Sequence, residues 1–456
     1  MAADVSAGGD AAQDDVAEVL SLLLPLLPLD TRARAACVCR AWRAATARPE
    51  LWQELSFERC AARVTDATLA ALCARAGAAL RTLYLPVDVC SRVTGAGLLA
   101  ALRDGGCAGL RRLDAPLPVF GFSGTTFGDV EAQELAAACP LLQRAACSVR
   151  GFVSDAVAVL TAALPGPLAL SFYDESDEED LTRLVECLRA NATLTSLDML
   201  GCGIGDAGAA QLAECLHVNT TLTSLRLSSN RIHGTGATQF AECLRVNATL
   251  TSLDLGGNRI GEAGVAQLAD ILRANATLMS LGLASSGIGN VAARHLAECL
   301  RANTTLASLD MGSNNISEAG AAQLAESLRT NATLTDLDLF NNKIGDAGAA
   351  RLADSLRVNT TLTSLDLASN GIGDLGAAQL AECLRANATL TSLGLDSNGI
   401  GDAGATQLAE GLRVNTTLAS LNLRSNNISE AGNARFAELP RRLKVELCSE
   451  ETWAMF

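Results

Sequence analysis

The chain has 456 residues, 49% of them hydrophobic, so it can bury a large core. Its 35 basic and 50 acidic residues give a formal net charge of −15 without any basic run, and nucleic acid and anionic membranes are therefore poor partners. An acidic surface would suit a basic protein partner, although it also simply keeps a protein soluble.

The chain opens with a polar lead and an apolar stretch. We predict that residues 1–13, which are small and polar, form a disordered lead. The stretch from Val19 to Leu29 is apolar, but acidic residues such as Asp15 and Glu18 precede it where a signal peptide carries basic ones. It is also too short to span a bilayer. We expect a cytoplasmic or nuclear protein.

Residues 14–57 contain the apolar pattern of a small helical unit. Asp30 can cap a helix that places Val38 and Trp42 on one side, and Trp52 can close a three-helix unit. A bundle this short is marginal alone, and it gains stability by packing an apolar face on a partner or on the adjoining chain.

The run Val38-Cys39-Arg40-Ala41-Trp42-Arg43, followed nine residues after Trp42 by Leu51-Trp52, resembles the F-box. The F-box docks substrate receptors on the Skp adaptor of cullin-RING ubiquitin ligases, and the resemblance implies that role here. It assigns the adaptor-facing and core apolar surface to Val16, Leu20, Leu23, Leu27, Val38, Cys39, Trp42, Leu51 and Trp52. The alternative is a mini-domain that caps the segments behind it.

Residues 58–180 carry helix and strand patterns that recur at irregular spacing. We predict degenerate copies of the repeat that follows, with variable loops such as residues 117–128. The recognisable copies are Val64 to Leu72, Leu80 to Leu85, Leu110 to Asp114, Pro140 to Leu142 and Leu168 to Leu170.

Residues 181–436 repeat one pattern every 28 residues, as is typical of a solenoid. Leu225 and Leu227 alternate with polar residues and predict a short strand. The spacing of Gly208, Leu212 and Leu216 predicts an amphipathic helix. An asparagine opens each copy at positions 191, 219, 247, 275, 303, 331, 359, 387 and 415.

The pattern Leu222-x-x-Leu225-x-Leu227-x-x-Asn230-x-Ile232 resembles the leucine-rich repeat, and its length with the Gly-Asp-Ala-Gly that often follows is similar to the ribonuclease-inhibitor type. Strands stack at roughly 4.8 Å, whereas helices need about 8 to 10 Å. We therefore predict an α/β solenoid, a leucine-rich-repeat horseshoe with strands inside, carrying an N-terminal three-helix F-box-like unit.

Two asparagine columns are interpreted structurally. The column that includes Asn230 and Asn258 is expected to satisfy backbone groups in the turn after the strand. The nine asparagines that open the copies are expected to cap helix C-termini in a left-handed conformation. These nine also form Asn-x-Thr sequons, but capping explains them without glycosylation.

Five cysteines share one helix position of the repeat, which other copies fill with Ile, Ser or Gly. They are Cys187, Cys215, Cys243, Cys299 and Cys383. This exchange indicates a small packing position, and the usage points to a reducing compartment.

Residues 437–456 interrupt the repeat and are interpreted as a C-terminal cap. A final strand is expected between Pro440 and Leu447. Trp453 and Phe456 could cover the exposed core of the last repeat.

Function is expected on the inner, concave face of the horseshoe, where carboxylates on neighbouring strands repel one another unless water, salt or a cationic ligand compensates. An aromatic residue and an arginine beside them would serve as anchors. The alternative is that Asp is the default filler of the repeat. The candidate partner-binding residues are Asp198, Leu200, Arg226, Asp254, Asp310, Asp338, Phe340, Asp366 and Arg424.

The sequence does not indicate catalysis. Its three histidines, His217, His233 and His295, are isolated substitutions in different repeat columns, and no metal site, nucleophile pair or phosphate loop is recognised. We expect no cofactor, and an enzyme is disfavoured.

We predict a substrate receptor of a Skp-cullin-F-box ubiquitin ligase, monomeric outside that complex, that binds a protein substrate on the concave face of the repeats. The alternative is a cytosolic leucine-rich-repeat scaffold or inhibitor without ligase attachment. Partners would be the Skp-type adaptor, the cullin ligase and the protein substrate, with no nucleic acid and no membrane.

Overall fold

The computed structural model describes residues 49–57, 64–85, 93–115, 129–147, 162–164, 168–171, 178–437, 439 and 443–447. The chain forms two compact units that meet in the sequence between Met199 and Leu200. In both units parallel strands alternate along the chain with helices. The predicted α/β solenoid of leucine-rich repeats is confirmed.

In the first unit each strand pairs in parallel with the next strand in the sequence. A 3₁₀ helix, Pro49–Trp52, precedes these strands. The elements are β1 (Glu54–Ser56), α1 (Asp66–Ala76), β2 (Thr82–Tyr84), α2 (Gly95–Asp104), β3 (Arg112–Ala115), α3 (Asp129–Ala138), β4 (Arg144–Cys147), β5 (Leu168–Ser171), α4 (Glu178–Ala190) and β6 (Leu194–Asp198).

The second unit continues the alternation with three-residue strands, which also pair in parallel in sequence order. Its last strand lies in the segment where a final strand was predicted. The elements are α5 (Asp206–Leu216), β7 (Ser224–Arg226), α6 (Gly234–Leu244), β8 (Ser252–Asp254), α7 (Gly261–Leu272), β9 (Ser280–Gly282), α8 (Asn290–Leu300), β10 (Ser308–Asp310), α9 (Glu318–Leu328), β11 (Asp336–Asp338), α10 (Gly345–Leu356), β12 (Ser364–Asp366), α11 (Asp374–Leu384), β13 (Ser392–Gly394), α12 (Asp402–Val414), β14 (Ser420–Asn422), α13 (Glu430–Asn433) and β15 (Lys444–Glu446).

The core lies between the strands and the helices. The central leucine of each strand from β7 to β14, such as Leu225 or Leu337, is buried, while its two neighbours in the strand lie largely on the opposite side. On α5, Leu212 and Leu216 are buried, and Glu214 and His217 are exposed, as the helical spacing predicted. Strand and helix thus bury their apolar sides against each other.

The turn asparagines satisfy backbone groups of two repeats at once, as expected. Asn258 Nδ2 donates to the carbonyls of Leu255, 2.9 Å away, and of Leu227, 2.8 Å away in the preceding repeat. Its Oδ1 accepts a hydrogen bond from Ile232 N at 3.0 Å. The bend itself is made one residue earlier, where Ser229, Ser313 and their equivalents have positive φ.

The prediction of a left-handed conformation for the nine helix-end asparagines is wrong. Asn415 has φ −67° and ψ 136°, and none of the nine is among the positive-φ residues. Asn331 shows the actual arrangement. Its Nδ2 donates at 2.7 Å to the carbonyl of Leu300, the last residue of α8 in the preceding repeat, and its Oδ1 accepts from Thr333 N and Leu334 N. The side chain therefore caps the helix of the preceding repeat, while the backbone amide donates to Ser327 O at the end of its own helix, as the predicted C-cap position requires.

Helix N-termini are also satisfied by a neighbouring repeat. Asp346, at the start of α10, accepts hydrogen bonds through Oδ1 from Gly373 N at 2.7 Å and Gly376 N at 2.9 Å, at the start of α11. Asp374 repeats this contact to Gly401 and Gly404. The aspartate of the Gly-Asp-Ala-Gly sequence is thus a cap for the next helix.

The cysteine column packs as a small residue, in agreement with its exchange with Ser and Gly. Cys243, Cys299 and Cys383 are buried, and burial raises the pKa of each thiol to about 12. Ser327 and Ser355, in the same column, donate their hydroxyl groups to the helix carbonyls of Leu324 and Leu352.

Several predictions concern residues outside the part of the chain that the structure describes. They are the predictions for residues 1–48, residues 117–128, Trp453 and Phe456.

Candidate protein-binding face

The first and third residues of β7 to β14 form one surface of the second unit, which we call the strand face. Along it, Asp310 on β10 is the register partner of Asp338 on β11, and Asp338 is the partner of Asp366 on β12. Adjacent strands are about 4.8 Å apart. Asp336, which the sequence analysis did not select, joins the face from the first position of β11.

The environment of these carboxylates disfavours their charged form. Desolvation raises the pKa of Asp338 to about 6, helped by the negative charges of Asp310, Asp366 and Asp336 and opposed by a backbone hydrogen bond. The pKa of Asp310 is also raised, first by desolvation and then by neighbouring carboxylates that include Asp254. Neighbouring carboxylates thus add to the effect of desolvation in raising both pKa values.

The same aspartates have a structural task within their own turn. Oδ1 of Asp338 accepts a hydrogen bond from Phe340 N at 2.7 Å, and Oδ1 of Asp310 accepts one from Gly312 N at 2.9 Å. Asp254 and Asp366 bind the amide two residues later in the same way. This contact explains why Asp recurs at the third position of these strands. The second carboxylate oxygen, Oδ2, takes no part in this turn hydrogen bond.

Arg226 lies at one end of the carboxylate row and pairs with it. Its Nε is 3.2 Å from Asp254 Oδ2 and 3.0 Å from Ser228 Oγ, and the Ser228 hydroxyl donates to the same carboxylate oxygen at 2.7 Å. A shallow groove of about 380 Å³ runs from here past Asp310 to Asp338, lined by serine hydroxyls and these charged groups. Such a surface can bind cationic side chains through charge-assisted hydrogen bonds.

The other predicted anchors are dispersed. Phe340 is 40% exposed directly after β11, whereas Arg424 follows β14 and forms an ion pair with Glu446 at 3.4 Å. Three strand spacings separate the two positions, or roughly 14 Å. Leu200 is half-buried at the start of the second unit, and Asp198 ends β6 in the first unit. The structure brings Arg226 together with Asp254, Asp310 and Asp338 along one groove. It does not bring Phe340 together with Arg424.

Only the end of the F-box-like segment falls within the described residues. Leu51 and Trp52 lie in the 3₁₀ helix Pro49–Trp52, and the Trp52 side chain is completely buried, with the Arg75 guanidinium 5.3 Å from its ring centroid. The pair therefore stabilises the core of the first unit. The remaining predicted adaptor-binding residues, Val16, Leu20, Leu23, Leu27, Val38, Cys39 and Trp42, lie outside the described residues.

The histidines lie in three different repeats. His217 Nδ1 is 2.9 Å from Ala213 O, His233 Nδ1 is 3.5 Å from Asp206 Oδ2, and His295 Nε2 is 3.3 Å from an Arg294 nitrogen. Within the described part of the chain, no group of His, Cys, Asp and Glu side chains could hold a metal ion. None of the helices described is long and apolar enough to cross a membrane.

Comparison with protein families identifies both parts of the sequence. The F-box-like family matches residues 17–58. The leucine-rich-repeat family matches eight segments: residues 190–213, 218–241, 246–269, 302–325, 330–353, 358–381, 386–409 and 414–432. Both kinds of domain typically serve as adaptor or binding modules. A search of the curated proteins finds no match to the chain.

Comparison with solved structures finds three similar chains, of which the first shares the fold. A chain of the yeast Rad7 and Elc1 complex aligns over 98% of this chain and 96% of its own length, with 16% identity and a TM-score of 0.52. An internalin of Listeria monocytogenes covers 84% of this chain and 88% of its own, at 19% identity and TM-score 0.42. Leiomodin-1 actin-binding site 2 covers 29% and 76%, at 26% identity and TM-score 0.26. The chain is an F-box leucine-rich-repeat protein.

Proposed function

We propose that this protein is the substrate receptor of a Skp-cullin-F-box ubiquitin ligase. The observation that carries the proposal is the F-box-like segment at residues 17–58 ahead of a long repeat array. The F-box would bind the Skp-type adaptor and through it the cullin, and the repeats would present a protein substrate. The fold relative from yeast was crystallised as a complex of Rad7 with another protein, Elc1, which fits a role in protein assembly. We expect a cytoplasmic or nuclear protein that is a monomer outside the complex.

The adaptor surface is assigned to the apolar residues before the 3₁₀ helix. Because Trp52 is completely buried and Leu51 nearly so, substituting either would disturb the core of the first unit as well as any contact. Leu20 and Leu23 are better targets, since both belong to the apolar residues for which we propose the adaptor contact.

The first experiment measures binding of the full-length chain to purified Skp adaptor by surface plasmon resonance. We expect the Leu20→Ala, Leu23→Ala double variant to lose at least about tenfold in affinity, the size of loss seen at interface hot spots. The matched control is Leu375→Ala, which removes a leucine that is 74% exposed on α11 of the second unit. Circular dichroism and thermal melting verify that each variant is folded.

Retained binding in the control together with loss in the double variant supports the ligase role. If the intact chain does not bind the adaptor, the role fails, and a leucine-rich-repeat scaffold or inhibitor becomes the leading function. If the control loses binding as well, the contact does not involve the F-box.

For the substrate we propose a basic protein segment on the strand face. Asp310 and Asp338 face one another across adjacent strands, and a Lys or Arg side chain between them would relieve their repulsion. Relief of this repulsion would favour binding of the basic segment to the strand face.

The substrate assignment is tested with the Asp310→Lys, Asp338→Lys variant, which reverses the charge of the face. Proteins that co-purify with this variant from proteasome-inhibited cells are compared with proteins that co-purify with the original sequence. The control, Glu326→Lys with Asp354→Lys, makes the same charge change at exposed helix positions. Equal partner recovery with the strand-face variant would remove this face from substrate binding.

A further inference from the structure

Nearly all the positive charge of this chain is carried by arginine. Lys343 and Lys444 are its only lysines, and the other 33 of its 35 basic residues are arginines. Lysine is ordinarily among the commonest residues of soluble proteins. The two side chains supply the same charge, but a lysine amine can be acylated, whereas the delocalised guanidinium stays charged. The chain is therefore poor in groups that can accept an acyl substituent.

Packing does not require arginine at the exposed helix ends. The residue that caps the C-terminus of each helix from α6 to α11 is an exposed arginine, such as Arg301 after α8 and Arg329 after α9. A cation there interacts favourably with the helix dipole, and lysine supplies it as well as arginine does. In the same column, Arg357 Nε faces one oxygen of Asp354 at 4.0 Å, a contact that a lysine could also make. Arginine thus occupies positions where the fold would accept either cation.

The two lysines have different surroundings. Lys444 on β15 is 73% exposed, and its Nζ donates to Glu446 Oε1. This hydrogen bond and the charge of Arg424 hold the pKa of Glu446 below its ordinary value. The ion pair stabilises the charged ammonium of Lys444 at the expense of the uncharged amine that can attack a carbonyl. Lys343, after β11, is exposed, and its side chain forms no ion pair with another described residue.

We propose that the ligase modifies its own receptor slowly and chiefly at Lys343, because arginine occupies most of the exposed cationic positions. This inference rests on the proposed function. Assembly in one complex raises the effective concentration of the receptor's own amines near the reacting ubiquitin. Few exposed amines would then direct ubiquitin to the bound substrate.

The reaction that this surface limits is acyl transfer to an amine. Ubiquitin arrives as a thioester on the cysteine of a conjugating enzyme. A lysine Nζ that has given one proton to solvent attacks the thioester carbon. An N–C bond forms, the C–S bond breaks, and the leaving thiolate takes the second proton of the amine. A guanidinium group does not become the uncharged nucleophile that this step needs.

The test reconstitutes the ligase from the full-length chain, the Skp adaptor, the cullin and RING subunits, the activating and conjugating enzymes and ATP. It uses a ubiquitin whose own lysines are replaced by arginine, so that each acceptor carries at most one ubiquitin. Mass spectrometry follows the Gly-Gly remnant on each lysine of the chain over time. Discharge of the conjugating enzyme to free lysine verifies that each complex is active, and surface plasmon resonance verifies adaptor binding.

We expect slow modification of the original chain, with most of the remnant on Lys343. Lys343→Arg should remove most of the modification, and Lys444→Arg should remove little. Arg301→Lys with Arg329→Lys raises the number of exposed amines besides the paired Lys444 from one to three, so the rate should rise about threefold. The matched control, Arg301→Gln with Arg329→Gln, removes the same guanidinium groups without adding amines and should leave the rate unchanged. Thermal melting verifies that each variant is folded.

Equal rates for the added-lysine variant and the original chain would show that the supply of amines does not limit the reaction, and would overturn the proposal. A remnant at least as abundant on Lys444 as on Lys343 would overturn it as well. In both cases adaptor binding would still support the ligase role. An intact chain that does not bind the adaptor would overturn that role and this inference together.

Discussion

Asp338 combines a favourable and an unfavourable contact in one side chain. Its Oδ1 accepts the Phe340 amide hydrogen, which holds the turn after β11. Its negative charge is partly desolvated and faces Asp310 and Asp366 on the neighbouring strands, so that its pKa is raised to about 6. The hydrogen bond requires an oxygen acceptor, but it does not require the charge.

Because the pKa of Asp338 is raised in the folded state, its folded form holds a proton at pH values where the unfolded chain has lost it. Its contribution to stability is therefore fully present below about pH 4 and is lost as the pH rises through about 6. We expect Asp338→Asn, which keeps the oxygen acceptor, to melt at a higher temperature than the original chain at about pH 7, with the gap closing towards about pH 4.

Thermal melts across this pH range check the prediction. Asp354→Asn is the matched control, since it makes the same charge change at an exposed position on the following helix, α10. A comparable gain in the control would assign the effect to net charge. Equal melting of Asp338→Asn and the original chain at neutral pH would contradict the proposed local repulsion.

At the scale of elements, the helices are held through their ends by neighbouring repeats. Asn331 donates to the last carbonyl of α8, in the preceding repeat, and fixes the start of its own strand segment through two amides. Asp346 accepts from amides at the start of α11. These bonds satisfy helix-terminal groups that would otherwise lack partners in a buried setting, and they link each repeat to the next.

Asn331→Ala should destabilise the chain by about 2 to 4 kcal/mol, because it leaves buried backbone groups of two repeats without hydrogen bonds. Urea denaturation followed by circular dichroism measures the change as a lower midpoint. Asn315→Ala is the control, since Asn315 is exposed and its backbone amide, which the substitution keeps, donates to Ile288 O. If both variants lose the same stability, the cross-repeat hydrogen bonds do not contribute as argued.

At the scale of the whole molecule, acidic charge accumulates through repetition. The 28-residue period places an aspartate at the same strand position in several successive copies, and each copy adds negative charge next to the last. The net charge of −15 adds a longer-range repulsion to this local one. Ion pairs such as Arg226 with Asp254 offset only part of it.

Added salt should therefore stabilise the protein. Raising NaCl from about 0.01 M to about 0.15 M shortens the screening length from about 30 Å to about 8 Å, and we expect the melting temperature to rise by roughly a few degrees. The Asp310→Asn, Asp338→Asn variant should show a smaller rise, because part of the screened repulsion is already gone. A melting temperature that falls with salt would instead show that ion pairs dominate.

The candidate site could be predicted from the sequence only in part. The aspartate row follows from the repeat register, because a constant 28-residue step places equivalent residues side by side. The first unit lacks that regularity: Thr82 pairs with Arg112, and Arg112 with Arg144, across steps of 30 and 32 residues. The partners across these strands could therefore not be derived from a fixed step, as they could for the aspartates.

The sequence by itself determined the class of fold, since a leucine pattern of period two followed by one of helical period, repeated at fixed length, buries its apolar sides only by stacking. It also determined the two-part composition of an F-box followed by repeats. The tertiary structure decided which atoms meet across repeats. Asn331 was expected to cap its own helix in a left-handed conformation. Its φ is not positive, and although its backbone amide donates to Ser327 O of that helix, its side chain caps a helix that ends 31 residues earlier. Such contacts depend on how neighbouring repeats stack, and a local pattern contains no information about atoms one repeat away.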